Sequence, residues 1–191
     1  NKVVIPRYNK RTDSYIWDIP ETILLPSDMT IVLDNCHMRQ ADWCYCNMFS
    51  NSEAFTEKGK TLAGEQYNIT ITGNGDAILD GGLHNGLLEK TAEKNKLPPR
   101  WYNCMLYFHN VRNVVLENFR MLQQRWWGIV FLYCRFGRVS NIDFYARELV
   151  PNLDGVNLRV GCNNFTIENM TGTTSDDTVA LTALSQRWET E

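Results

Sequence analysis

The sequence predicts an all-β fold, a parallel β-helix, and three observations predict it. Landmarks recur at matching steps: Leu116-Glu117-Asn118, Val139-Ser140-Asn141 and Ile167-Glu168-Asn169 align at intervals of 23 and 28 residues. A second set, Trp127-Gly128-Ile129, Asp154-Gly155-Val156 and Asp177-Thr178-Val179, recurs at 27 and 23. Between the landmarks lie short alternating apolar runs broken by Asn, Gly, Asp and Ser, with no helical periodicity. Irregular periods with fixed internal landmarks are what coiled parallel strands give, because rungs stack about 4.8 Å apart while insertions go into the turns. A β-sandwich would not produce coincident landmarks at successive periods.

Taken in order, Tyr67 to Gly73 reads as an early partial copy of the unit. Asp42 to Gly64 and Leu83 to Trp101 read as excursions from the stack, the second with short helical turns around Asn85 to Ala92; long loops in a compact domain are usually functional or disordered. In Val156-Asn157-Leu158-Arg159-Val160 the alternation points Val156, Leu158 and Val160 inward and Asn157 and Arg159 outward. Val179 and Leu181 form the next inward pair. Cys134 and Cys162 each precede their unit's Asn by seven residues and should stack. Asn at each turn suits a polar ladder, because Asn tolerates left-handed backbone.

Composition bounds the function. The 191 residues make one domain, and a net charge of -3 gives no basic face for nucleic acid. No apolar run approaches the roughly 18 residues of a membrane span. The start, Asn1-Lys2-Val3, has no Met and no secretory core, so it reads as an internal cut or a processed end. Cys44-x-Cys46 is too tight for the usual zinc pair, and the six cysteines read as buried thiols, which favours a cytoplasmic, reducing compartment over a secreted or periplasmic one.

Asn152-Leu153-Asp154-Gly155 is followed 22 and 23 residues after Asp154 by Asp176-Asp177. Taken singly, Asp before Gly and Thr-Ser-Asp-Asp are ordinary turn signals. Together with Gly73-Asn74-Gly75, Ile78-Leu79-Asp80-Gly81-Gly82 and Thr178-Val179-Ala180-Leu181, these motifs resemble the polygalacturonase-type glycoside hydrolases, over most of the chain from about Ile23 to Leu184. That resemblance implies a right-handed parallel β-helix that cleaves pectin-like, uronate-containing polysaccharides. It matches Asp176 to the general acid, Asp154 and Asp177 to the pair that holds and activates water, and Asn152 to a substrate contact. Leu153 and Ser175 depart from the family pattern. Its Gly-His-Gly and Arg-x-Lys motifs would lie beyond Glu191, so the chain is expected to be a fragment truncated at both ends. Self-association, or pairing with a C-terminal half, is the expected consequence.

The residues bear on this chemistry independently. Asp154 and Asp177 share one landmark a rung apart, so at least one carboxyl should hold its proton more tightly. Inverting hydrolysis needs one protonated acid and one ionised base with room for water between them. Asp176 and Asp177 are sequence neighbours and reach one groove only if the backbone bends after Thr173-Thr174-Ser175. Trp127, of the pair Trp126-Trp127, is the candidate for stacking on a sugar, while either ring of the pair could instead pack in the core. Arg159, and less so Arg125, could meet a uronate carboxylate or form a surface ion pair. His37, His84 and His109 read as structural, and the sequons at Asn68, Asn164 and Asn169 fall on turns. No cofactor and no metal is assigned. Two other readings stay open: a lyase with calcium-binding carboxylates and an Arg or Lys base, and a non-catalytic glycan-binding β-helix.

Overall fold

The computed structural model describes residues 1–82, 104–146 and 152–183. Among the described residues every strand pair is parallel, and the chain is a parallel β-helix. The described residues form six rungs, each with three strand segments. The first rung holds β1 (Lys2–Pro6), β2 (Ile16–Ile19) and β3 (Ile23–Leu25), and the second holds β4 (Met29–Asp34), β5 (His37–Gln40) and β6 (Phe49–Asn51). The third holds β7 (Gln66–Asn74), β8 (Ile78–Asp80) and β9 (Leu106–His109). In the fourth, the long β10 (Val111–Leu122) covers two faces, continuing both β7 and β8, before β11 (Trp127–Leu132). The fifth and sixth repeat that plan with β12 (Arg138–Tyr145) and β13 (Asp154–Leu158), then β14 (Thr166–Thr173) and β15 (Val179–Leu181).

The register reproduces the expected repeat. Leu116 lies opposite Val139 and Val139 opposite Ile167; Trp127 lies opposite Asp154 and Val156 opposite Val179. Interior positions form aliphatic columns such as Ile31, Ile71, Leu116 and Val139, all buried. Burying each of these side chains is worth about 1.5–3 kcal/mol, which is how a fold without an α-helix among its described residues gains a core. Phe108 stacks on Phe131 at 5.7 Å, and Phe131 meets Phe165 at 4.9 Å.

The bends between faces are made by Asn. Asn118, Asn141 and Asn169 all have left-handed backbone, with φ of 63°, 54° and 55°. Their amides form a ladder in which Asn169 Nδ2 donates to Asn141 Oδ1 at 3.0 Å and Asn141 Nδ2 to Asn118 Oδ1 at 2.8 Å. A second ladder joins Asn113 to Asn68 and Asn68 to Asp28, each at 2.8 Å. The Asn68 and Asn169 amides of two sequons are therefore engaged in these ladders.

Several expectations need correction. The stretch from Asp42 to Gly64 is not wholly an excursion: β6 lies inside it and pairs with β3 and β9. The remainder includes two short 3-10 turns, Lys58–Lys60 and Leu62–Gly64. Its Ala54 and Phe55 cover the outer face of the third sheet, the one formed by β3, β6, β9, β11, β13 and β15, where Tyr107, Val130 and Leu132 pack against them. Val160 joins this outer cluster rather than the interior, because β13 ends at Leu158 and alternation ends with it. Asn157 faces outward as expected yet is buried. Val179 and Leu181 keep the register of the interior columns but are exposed on the last described rung. Leu83 to Trp101, with the helical turns expected there and His84, lies outside the described residues.

All six cysteines are thiols. Cys36, Cys44, Cys104 and Cys134 are buried as expected, whereas Cys46 and Cys162 are half-buried. Cys134 and Cys162 stack on adjacent rungs, with Asn163 N donating to Cys134 O at 3.1 Å. His37 pairs with Asp80 at 2.9 Å, and His109 is buried with Nδ1 3.2 Å from Ala54 O.

Candidate active site

The outer face of the third sheet presents the carboxylates because of two glycines. Strict alternation would turn Asp154 inward with Val156. Instead Gly155 and Val156 both face the interior, and a Cβ on Gly155 would lie 3.2 Å from the Phe144 ring and 2.4 Å from Thr178 O. Gly128 does the same one rung earlier, where a Cβ would come within 2.9 Å of Met121 Sδ and of the Asp154 carbonyl oxygen. Two consecutive inward residues shift the phase, as a bulge does. Trp127 and Asp154 thereby share the outer face with Val130 and Asn157. The Asp-Gly dipeptide is thus a strand feature and not a turn.

Asp154 heads β13, its amide donating to Trp126 O at 3.2 Å. Gly155 N donates to Asp177 O at 2.9 Å, so Asp177 takes the matching position one rung on. Asp176 and Asp177 lie in the exposed segment between β14 and β15. The bend the sequence required is present: Thr174 Oγ1 donates to Asp176 O at 2.8 Å and lies 3.2 Å from Thr178 Oγ1. Ser175 ties the bend to the preceding rung, exchanging bonds with Leu153 through its backbone N and its Oγ, each at 3.3 Å.

Asp154 is only 5% exposed. Its Oδ2 accepts from Asn157 Nδ2 at 3.1 Å, while its buried Oδ1 has no hydrogen-bond partner among the described residues. Burial, first, pushes its pKa up to about 6. The charges of Asp176 and Asp177 push the same way, against the Asn157 hydrogen bond and Arg159. The expected rise therefore falls on Asp154, but desolvation leads it and neighbouring carboxylates come second.

Arg159 faces outward as alternation required, but it is not the exposed side chain expected: it is 7% exposed, with its guanidinium over the Trp127 ring at 4.5 Å. Trp127 is half-buried and meets the buried Trp126 edge-on at 6.2 Å. Asn152 stands in left-handed backbone, φ 63°, two residues before Asp154. Arg125 is not placed to meet a substrate carboxylate. It is 1% exposed and donates to Gln40 Oε1 at 2.7 Å and to the Cys44 carbonyl. Asn157 is the partner that sequence reasoning missed, since an outward Asn carries no signal until the phase shift at Gly155 is known. Among the described residues no group of three His, Cys, Asp or Glu side chains is arranged to hold a metal ion.

No family model matches the chain. It is 26% identical over 114 residues to an Arabidopsis thaliana protein named for a proposed polygalacturonase activity, an alignment covering 59% of this chain. The matched part spans only 25% of that relative's length. A solved structure of a proposed glycosyl hydrolase from Parabacteroides merdae superposes with a TM-score of 0.46 and 14% identity, over 85% of this chain and 75% of that one. The sequence match is a coarse, glycoside-hydrolase-like similarity.

Proposed function

We propose that this chain carries the catalytic carboxylates of a glycoside hydrolase acting on a uronate-containing polysaccharide or oligosaccharide. The observation that carries the reading is Asp154: a buried carboxyl with one oxygen unbonded, one rung from Asp177 and beside Asp176, on a face that also bears Trp127. The raised proton affinity lies on Asp154, which this reading uses as a base, so it acts in its ionised form above about pH 6. In this reading Asp176 donates the proton to the leaving glycosidic oxygen. Asp154 and Asp177 position the water that attacks the opposite face of the sugar, giving inversion. Asn152 contacts the substrate, Trp127 offers an aromatic edge to a sugar ring, and Arg159, held over that ring, supplies positive charge for a uronate carboxylate.

The test is Asp176→Asn in the full-length protein, assayed for reducing ends released from polygalacturonate. Loss of general acid catalysis should lower turnover about 10²–10⁴-fold. Unchanged hydrolysis would remove Asp176 from the mechanism. Products with unsaturated sugars, lost on chelation, would replace hydrolysis with lyase chemistry. Binding of the glycan without turnover, indifferent to this substitution, would indicate a non-catalytic glycan-binding chain.

A further inference from the structure

Away from the carboxylates, the segment linking β5 to β6 brings two thiols together. Cys44 Sγ and Cys46 Sγ are 2.8 Å apart, while the bonded distance in a disulfide is about 2.05 Å. Their loop is held by buried polar groups. Gln40, fully buried, donates through Nε2 to Cys46 O at 2.5 Å and accepts from Arg125 Nε through Oε1 at 2.7 Å. Both terminal nitrogens of Arg125 donate to the Cys44 carbonyl. Cys44 N donates to Ala41 O at 3.1 Å, and Cys44 Sγ lies 3.3 Å from Pro20 O. The backbone on either side of Tyr45 is thus clamped with the two sulfurs facing each other.

The charge environment suits a reactive pair. Burial lowers the pKa of Arg125 to about 10, and the sulfurs of Cys44 and Cys46 are the first groups acting to hold it charged. The pair gives up its first proton below the usual thiol range, chiefly because the Cys46 thiol donates to the Cys44 sulfur, with Arg125 contributing and burial opposing. The remaining proton is held well above that range by the same contact. A thiolate beside a buried guanidinium, with one of the two sulfurs half-exposed, is the setting in which cysteines react.

We propose that Cys44 and Cys46 form a redox-active dithiol site that closes to a disulfide by exchange with the disulfide of a small thiol. One sulfur of the pair, as thiolate, attacks a sulfur of the oxidant, forming a mixed disulfide and releasing one thiolate. The second sulfur loses the remaining proton and attacks the mixed disulfide, releasing the other. Two electrons pass from the protein to the oxidant, one S–S bond forms and one breaks, and one proton is left for the two released thiolates. The site is independent of the glycosidase reading.

The experiment equilibrates the full chain in glutathione buffers from fully reduced to fully oxidised, then quenches with N-ethylmaleimide in denaturant and measures intact mass. The reduced protein should carry six adducts, one for each cysteine in the chain. The oxidised protein should carry two fewer, with peptide mapping assigning the loss to Cys44 and Cys46. Six adducts throughout, or a loss mapped to Cys134 and Cys162, would overturn the proposal. A Cys44→Ser variant should instead accumulate a stable glutathione adduct on Cys46. If it lost two adducts as the wild type does, the pairing would be refuted.

Discussion

Gly155 and Asp154 show how far single atoms decide this site. Alanine at 155 would place a methyl 2.4 Å from Thr178 O, a backbone atom that cannot rotate away. Gly155→Ala is expected to cost about 1–3 kcal/mol in urea denaturation, as overpacking does, and to displace the segment bearing Asp176 and Asp177. A variant as stable as the wild type would show that this approach is not tight. Asp154 presents a conflict between stability and the proposed chemistry. Asp154→Asn keeps the shape and removes the ionised, buried carboxylate, so at pH 7.5 the variant should be more stable by on the order of 1–2 kcal/mol. It should lose hydrolysis, with kcat/KM of the wild type falling below about pH 6 as Asp154 takes up its proton. A neutral or destabilised Asn variant would mean that the carboxylate is compensated in solution.

At the scale of elements, the Asn ladders hold the rungs in register. Asn141 sits in left-handed backbone and bonds both neighbours, Asn118 and Asn169. Asn141→Ala loses both bonds and strains the backbone, so a loss of about 2 kcal/mol is expected. Asn141→Gly loses the bonds alone and should be the milder change. Denaturation curves in which Ala matches or exceeds Gly would sink that account. The same elements explain what was readable. The Asn and Asp-Gly landmarks stood out where steps of 23 to 28 residues keep the turns short. The second and third rungs were harder to align because longer insertions separate β4, β7 and β10, although Ile31, Ile71 and Leu116 in those strands still stack. The strand β6 was lost for the same reason, as three residues inside a long irregular stretch carry no periodic signal.

For the whole molecule, the raised Asp154 pKa makes stability depend on pH in a stated direction. Its folded value, about 6, lies above the ordinary carboxyl value of 3.8. Its contribution is therefore fully present below about pH 4 and is lost as pH rises through 6, by on the order of 2 kcal/mol. Subtracting the Asp154→Asn profile from the wild-type profile should isolate that decline between about pH 4 and 6.5. A flat difference would mean that Asp154 titrates normally in the folded protein.

What the residues by themselves determined was the coil: alternation, Asn turns and recurring landmarks force parallel stacking, because each of these acts locally and repeats. They also placed Asp154 and Asp177 one rung apart. Only the tertiary structure decided which way side chains face where alternation breaks, and how deeply they are covered. Gly128 and Gly155 turn Trp127 and Asp154 outward, and the segment around Ala54 and Phe55 closes over that face. Arg159 and Asn157 are buried on that face, and Arg125 is committed to the Cys44 loop. The reason is physical: burial and the desolvation that raises a carboxyl's pKa depend on segments distant in the chain, which no local pattern encodes.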